Sequence, residues 1–158
     1  ARAVASDPKL IIADEPTSAL DLSVQAQVLN FMKRIQNEYG LSYLFISHDL
    51  SVVRHMADDI AIMHRGRFVE QGSKDEIFGN PQHIYTKRLL SAIPKIDPIN
   101  REEHMAERRL IEAEYHKHQK DYYDENGRVY DLLKINDNHY SALNPNMDLD
   151  ELRTKGYA

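Results

Sequence analysis

The sequence contains no cysteine. It therefore has no means of forming a disulfide, a thiolate nucleophile, a zinc ribbon or an iron–sulfur cluster. It also has no apolar run of the roughly 20 residues that a membrane-spanning helix requires, so we expect any membrane contact to be made through a partner. The net charge of -5 is the wrong sign for binding phosphate backbones, which excludes nucleic acid as an expected partner.

What is present is the balance of a globular protein, with 42% hydrophobic and 28% charged residues in a chain of 158 residues. This length fits one domain, or a part of a domain followed by a tail. Ala1 to Ser6 has the composition of a helix without a capping residue before it, and Asp7-Pro8 closes it. We therefore expect these residues to be the last turns of a longer helix and the chain to be a fragment.

Short apolar runs and one long helical pattern predict a βαβ unit near the start. Leu10–Ala13 is a continuous apolar run, typical of a strand buried on both faces of a parallel sheet. Apolar residues at helical spacing predict a helix over 23–39, ended by Gly40. A second β-rich run, Ser42–Ile46, completes the unit. The fold class predicted is α/β with a mainly parallel sheet.

Shorter elements are predicted beyond the βαβ unit. Ser73 and Glu76 have the spacing of a capping box and predict the start of a helix that ends at Asn80-Pro81. The charged stretch 100–126 is either a solvated helix or largely disordered, and apolar residues return in 128–143 as one or two strands. The other predicted elements are a helix over 50–57, a strand over 59–64, a hairpin through Arg65-Gly66 to Gly72, and a helix over 83–93 that stops at Pro94.

Asp14 and Glu15 follow the first predicted strand directly, and His48 follows the second. Ligands of open α/β sheets bind at the carboxyl ends of the strands. Hydrolysis of a phosphoanhydride needs oxygen ligands for Mg²⁺ and an acceptor for the proton of the attacking water, and two adjacent carboxylates supply both. An acidic pair alone is more often a polar exit from a strand, so the surrounding residues decide the interpretation.

The stretch Leu10-Ile11-Ile12-Ala13-Asp14-Glu15-Pro16-Thr17-Ser18-Ala19-Leu20-Asp21 resembles the Walker B strand and D-loop of ABC ATPases, and Ile46-Ser47-His48-Asp49 resembles their H-loop. The resemblance implies the C-terminal half of a P-loop NTPase core with ATP and Mg²⁺ as cofactors. It also implies a role for each matching residue. Asp14 would hold Mg²⁺ through water, Glu15 would be the general base, and His48 would contact the γ-phosphate. Ser18 and Asp21, with Ala19, would form the D-loop at the interface with a second ATPase subunit.

A second segment, Asn80 to Pro94, resembles the C-terminal extension of ABC importers for oligopeptides, dipeptides and nickel. In that family the wording is Pro-x-His-Pro-Tyr-Thr, and here Ile84 stands in place of the central proline. The resemblance divides the chain into the C-terminal half of the nucleotide-binding domain (1–79), the importer-type segment (80–100) and a charged tail that is partly helical with a small strand pair (101–158). Apolar residues from Val129 to Ile135 lead us to expect that the tail packs on the partner ATPase.

The chain contains no Gly-x-x-x-x-Gly-Lys-Ser/Thr loop, no glutamine loop and no Ser-Gly-Gly-Gln signature. Without the first of these it has no cradle for the β- and γ-phosphates, so the isolated chain is expected not to hydrolyse ATP. For the intact protein the resemblance implies a peripheral ATPase at the cytoplasmic face of the membrane. Its partners would be a second ATPase subunit, transmembrane permease subunits and, indirectly, an extracytoplasmic peptide-binding protein.

Two alternatives remain open from the sequence. One is a soluble ABC-type ATPase of DNA repair or translation, which would share Asp14-Glu15-Pro16-Thr17 but has no reason to carry the segment from Asn80 to Pro94. The other is a non-catalytic interaction module in which the acidic pair is vestigial. A glycine-rich phosphate loop encoded upstream would favour the transporter ATPase, whereas a start codon at this point would favour the module.

Overall fold

A computed structural model of the chain describes residues 3–93 and 101–146. The described residues form a mixed α/β structure that divides into two compact units, 1–57 and 58–158. The predicted boundary between residues 79 and 80 falls inside the second unit. Of the helix end predicted over residues 1–6, the described residues 3–6 form turns and not a helix. The stop at Pro94 and the last part of the tail lie outside the described residues.

The first unit is the βαβ arrangement that the sequence predicts. Its elements are β1 (Leu10–Asp14), α1 (Leu22–Tyr39), β2 (Ser42–Ile46) and α2 (Leu50–Met56). β1 and β2 pair in parallel, from Leu10 opposite Ser42 to Asp14 opposite Ile46. Gly40 ends α1 with a φ of 63°, a left-handed conformation in which glycine carries no side-chain penalty. Both carboxyl ends of the strands therefore lie at the same edge of the sheet.

One face of this small sheet packs against the helices. Leu29 of α1 forms a buried cluster with Val52 and Met56 of α2, and Phe45 of β2 packs against it. Alternate residues point to the other face, and these are exposed: Leu10, Ile12, Leu44 and Ile46. The prediction that the first strand is buried on both faces is therefore wrong within this unit, because the helices cover only one side of it.

The second unit is built on an antiparallel sheet with strand order β3-β4-β6-β5. The strands are β3 (Asp59–His64), β4 (Arg67–Ser73), β5 (Leu132–Asn136) and β6 (His139–Ala142). The prediction of a mainly parallel sheet is corrected by this arrangement. Short turns join β3 to β4 and β5 to β6, and a strand that returns through a short turn can pair only in the antiparallel sense. The C-terminal hairpin, β5 and β6, pairs with β4 of the same chain.

The described part of the second unit also contains the helices α3 (Lys74–Gly79), α4 (Ile84–Ser91), α5 (Arg101–Lys117) and α6 (Gln119–Tyr122). The charged stretch is thus helical, in line with one of the two alternatives left by the sequence. The Arg88 side chain of α4 bonds Glu112 of α5 at 2.8 Å and lies over the ring of Tyr115. Val129, which belongs to the apolar segment expected to pack on a partner ATPase, is 2% exposed within its own unit.

Among the described residues, no helix is both long and apolar enough to cross a membrane.

Candidate functional site at the end of the parallel strands

Glu15 and His48 meet at the carboxyl edge of the parallel pair. The Glu15 backbone N–H donates to the Ile46 carbonyl at 2.9 Å, which continues the pairing of the two strands by one residue. The Glu15 backbone then turns out of the sheet with a φ of 47°. Its Oε1 accepts a hydrogen bond from the His48 backbone N–H at 3.2 Å and lies 2.6 Å from His48 Nδ1. The structure therefore joins two residues that the sequence separates by 33 positions.

The turn after β2 fixes the direction of His48. Asp49 is the N-cap of α2, and its carboxylate accepts from the backbone N–H groups of Ser51 and Val52. The Asp49 N–H in turn donates to the Ser47 hydroxyl at 3.1 Å. Because the residues on both sides of His48 are held in this way, its backbone N–H and its ring both face Glu15. The local sequence Ser-His-Asp thus supplies a helix cap and an oriented imidazole together.

The imidazole of His48 is charged more readily than usual. The hydrogen bond that the His48 ring donates to Glu15 and the negative charge of that carboxylate raise the pKa of His48 above 6.5. The histidine side chain is 80% exposed and that of Glu15 35% exposed, so solvent screens much of the attraction. Both contacts to Glu15 fall on Oε1.

Asp14 ends β1 and is exposed, one residue before Glu15. A carboxylate at an exposed sheet edge matches the preference of Mg²⁺ for a few oxygen ligands together with several retained waters. The described residues hold no cluster of three or more acidic, histidine or cysteine side chains placed to ligate a metal. Asp14 is therefore a carboxylate that would hold such a cation together with water.

The residues that resemble the D-loop form a compact turn. The Ser18 hydroxyl donates to the Glu15 carbonyl at 3.0 Å. Asp21 is the N-cap of α1 and accepts from the Val24 and Ser23 N–H groups and from the Ser23 hydroxyl, and these bonds lower its pKa below 3.8. Asp21 therefore has a local structural role whatever else it contacts.

Thr17 was not singled out from the sequence as a site residue. It is 4% exposed, and its hydroxyl accepts from the side-chain amide of Gln25 at 3.2 Å. This contact ties the turn that carries Glu15 to the first turns of α1. The sequence does carry a signal for a turn here, because a small hydroxyl residue beside a proline is common in turns. That signal does not predict which residue the Thr17 hydroxyl contacts.

The comparisons with known proteins concern both units. The family described as "Oligopeptide/dipeptide transporter, C-terminal region" matches residues 69–125. The chain is 59% identical over 143 residues to the oligopeptide transport ATP-binding protein OppF of Lactococcus lactis subsp. lactis, covering 90% of this chain and 45% of that protein. It is 60% identical over 103 residues to the dipeptide transport ATP-binding protein DppF of Escherichia coli, covering 65% of this chain and 31% of that protein.

A third relative is the oligopeptide transport ATP-binding protein OppD of Mycobacterium tuberculosis, 55% identical over 101 residues, which are 64% of this chain and 16% of that protein. The chain is thus similar to oligopeptide and dipeptide transport ATP-binding proteins, and the resemblance seen in its sequence is confirmed. It spans less than half the length of these relatives.

Proposed function

We propose that the intact protein is the ATP-hydrolysing subunit of an ABC importer for oligopeptides or dipeptides. The observation that carries the proposal is the contact of Glu15 with His48 at 2.6 Å, at the carboxyl ends of two parallel strands. Two further observations support it. The relatives are named as transport ATP-binding proteins, and the match to a peptide-transporter region disfavours an ATPase of repair or translation.

In the proposed mechanism, Glu15 is the general base. We assign its Oε2, the carboxylate oxygen that neither contact with His48 involves, as the acceptor of the proton from the attacking water. His48 holds Oε1 through its N–H and its ring, so the carboxylate is oriented before the water arrives. The Nε2–H of a protonated His48 would donate to the γ-phosphate. Its raised pKa keeps that donor available to a higher pH than in an unpaired histidine.

Asp14 would hold Mg²⁺ through water, and the bound ion would neutralise charge on the β- and γ-phosphate oxygens. The phosphates themselves need a glycine-rich loop, which this sequence does not contain. We therefore propose that the rest of the P-loop core completes the site and covers the exposed sheet face of Leu10, Ile12, Leu44 and Ile46. Ser18 and Asp21 would face a second ATPase subunit, and transmembrane permease subunits would receive the resulting movement at the cytoplasmic face of the membrane.

The test is ATP hydrolysis and peptide uptake by the complete protein with Glu15→Gln. We expect turnover to fall roughly 100- to 10,000-fold, the usual contribution of a general base, while nucleotide binding is kept because Gln preserves size and hydrogen bonding. Glu38→Gln is the matched control, since Glu38 is an exposed carboxylate in the last turn of α1. Near wild-type turnover in Glu15→Gln would refute the assignment. Loss of hydrolysis in Glu15→Gln with unchanged peptide uptake would refute the transport function alone.

A further inference from the structure

A buried ionic cluster in the second unit is not used by the proposed ATPase mechanism. Glu70 of β4 and His139 of β6 are both 0% exposed. His139 Nε2 lies 2.6 Å from Glu70 Oε1, and its Nδ1 lies 3.2 Å from Glu76 Oε2. Fully buried charged side chains are rare unless they are paired. These three residues, Glu70, Glu76 and His139, are called the latch below.

Three nitrogen atoms converge on the Glu70 carboxylate. Its Oε1 also accepts from the Gln82 backbone N–H at 2.6 Å, and its Oε2 accepts from the His83 backbone N–H at 3.1 Å. An ionised carboxylate is an acceptor only, and three donors directed at one carboxylate match that state. His83 is the N-cap of α4, so Glu70 fixes the backbone at the start of this helix.

The contacts of His139 match a ring that carries a proton on both nitrogens. A neutral imidazole has one donor and one acceptor nitrogen, yet both nitrogens of His139 face carboxylate oxygens. Only the imidazolium donates to both. Glu76 Oε1 is meanwhile bonded by the Asn136 side-chain amide at 3.0 Å. Both oxygens of Glu76 are therefore occupied by residues of the C-terminal hairpin.

The backbones of β4 and of the C-terminal hairpin approach each other closely at Gly72. Gly72 of β4 pairs with His139 of β6. A Cβ atom at Gly72 would lie 2.8 Å from the Asn138 carbonyl oxygen and 3.3 Å from the His139 ring. The Ser73 N–H also donates to the Asn138 carbonyl at 3.2 Å. The close approach of β4 and the hairpin thus depends on glycine at this position.

We propose that the latch responds to pH. It holds the C-terminal hairpin on β4 and α3 while His139 is protonated, and it releases the hairpin when that proton is lost. Deprotonation leaves one ring nitrogen without a proton against a carboxylate, so one of the two contacts becomes repulsive. The start of α4, held by the same Glu70, is linked to this change. The inference does not rest on the ATPase function, because no residue of the latch belongs to the Glu15–His48 site.

The charges around the ring indicate the pH range. Burial by itself lowers the pKa of His139, but the hydrogen bonds and charges of Glu70 and Glu76 outweigh it and raise the pKa above 6.5. The stabilisation is therefore complete below pH 6.5 and is lost as the pH rises through the higher pKa of the folded state. On α4, Lys87 faces Glu70, and burial lowers its pKa from 10.5. His83 stays neutral because burial lowers its pKa to about 3.

The experiment is hydrogen–deuterium exchange of the complete protein between pH 6.5 and pH 9, expressed as protection relative to the unfolded chain at each pH. We expect the amides of β6 to lose protection across this range in the wild type. Glu76→Gln keeps a hydrogen-bond acceptor but removes one charge, so release should begin at lower pH. Glu125→Gln, an exposed carboxylate in the same unit, is the matched control. His139→Gln should lower β6 protection roughly 100-fold at pH 6.5, as expected when one partner of a buried pair is removed.

Two results would overturn the proposal. One is constant protection of β6 in the wild type from pH 6.5 to pH 9. The other is a release curve of Glu76→Gln identical to those of the wild type and Glu125→Gln. Glu76 is 29% exposed, so this variant tests the proposal even if His139→Gln does not fold. Loss of protection with the same midpoint in Glu76→Gln would assign the transition to Lys87 instead.

Discussion

Leu143 offers a direct test of whether the C-terminal hairpin is part of the core of the second unit. Its side chain is 0% exposed, and it directly follows β6. The next residue is also fixed, because the Asn144 N–H donates to the Asp121 carbonyl at 2.9 Å. For Leu143→Ala we expect a loss of about 3 kcal/mol, since Leu→Ala at fully buried sites costs ~2.7–5 kcal/mol in transfer and cavity terms.

Amide exchange is the suitable assay because it reports opening free energies for separate parts of a protein. A loss of about 3 kcal/mol corresponds to exchange roughly 100-fold faster at the protected amides of β4 and β6. The same variant should leave the amides of α1 and β2 unchanged, since they belong to the first unit.

Leu110→Ala is the matched control for this substitution. Leu110 lies in α5 and is 67% exposed, and leucine and alanine are both good helix formers. Its effect should stay within about 0.5 kcal/mol. A loss below about 1 kcal/mol for Leu143→Ala would mean that the hairpin is only loosely attached, and the packing described here would then be refuted.

Three further predictions concern the first unit. Gly40→Ala should destabilise α1 by ~1 kcal/mol, because its φ of 63° is strained for any residue with a side chain; equal melting of variant and wild type would contradict this. The His48 pKa, measured by NMR titration, should lie above 6.5 in the wild type and return to about 6.5 in Glu15→Gln; an unchanged value would exclude the carboxylate as its cause. Asp21 has a lowered pKa, so its contribution is present above pH 3.8 and lost as the pH falls through the folded-state value. Acid unfolding of Asp21→Asn should lack that component, and an identical acid profile would show that the cap carries no charge-dependent stabilisation.

The sequence predicted the first unit well because its signals are local. The apolar runs of β1 and β2, the helical spacing of α1 and the glycine after it each act within a few residues, and the parallel register then brings Glu15 to His48. The roles of these residues in catalysis stay a prediction, since the contact shows proximity and orientation only.

The second unit was predicted less well because its decisive contacts are remote in sequence. Ser73 and Glu76 predicted a capping box, and the Ser73 hydroxyl does accept from the Glu76 N–H. The carboxylate of Glu76, however, binds Asn136 and His139 instead of returning to the Ser73 N–H. A single Glu and a single His 69 positions apart form no recognisable pattern. Strand order β3-β4-β6-β5 is likewise set by long-range pairing and not by any local propensity.

The left-handed backbone of Glu15 carries a consequence for how this position evolves. A residue with a side chain at a φ of 47° is strained, and glycine or asparagine would occupy the same conformation at lower cost. Descendants of such a domain that no longer need a base at this place should therefore drift towards Gly or Asn at position 15.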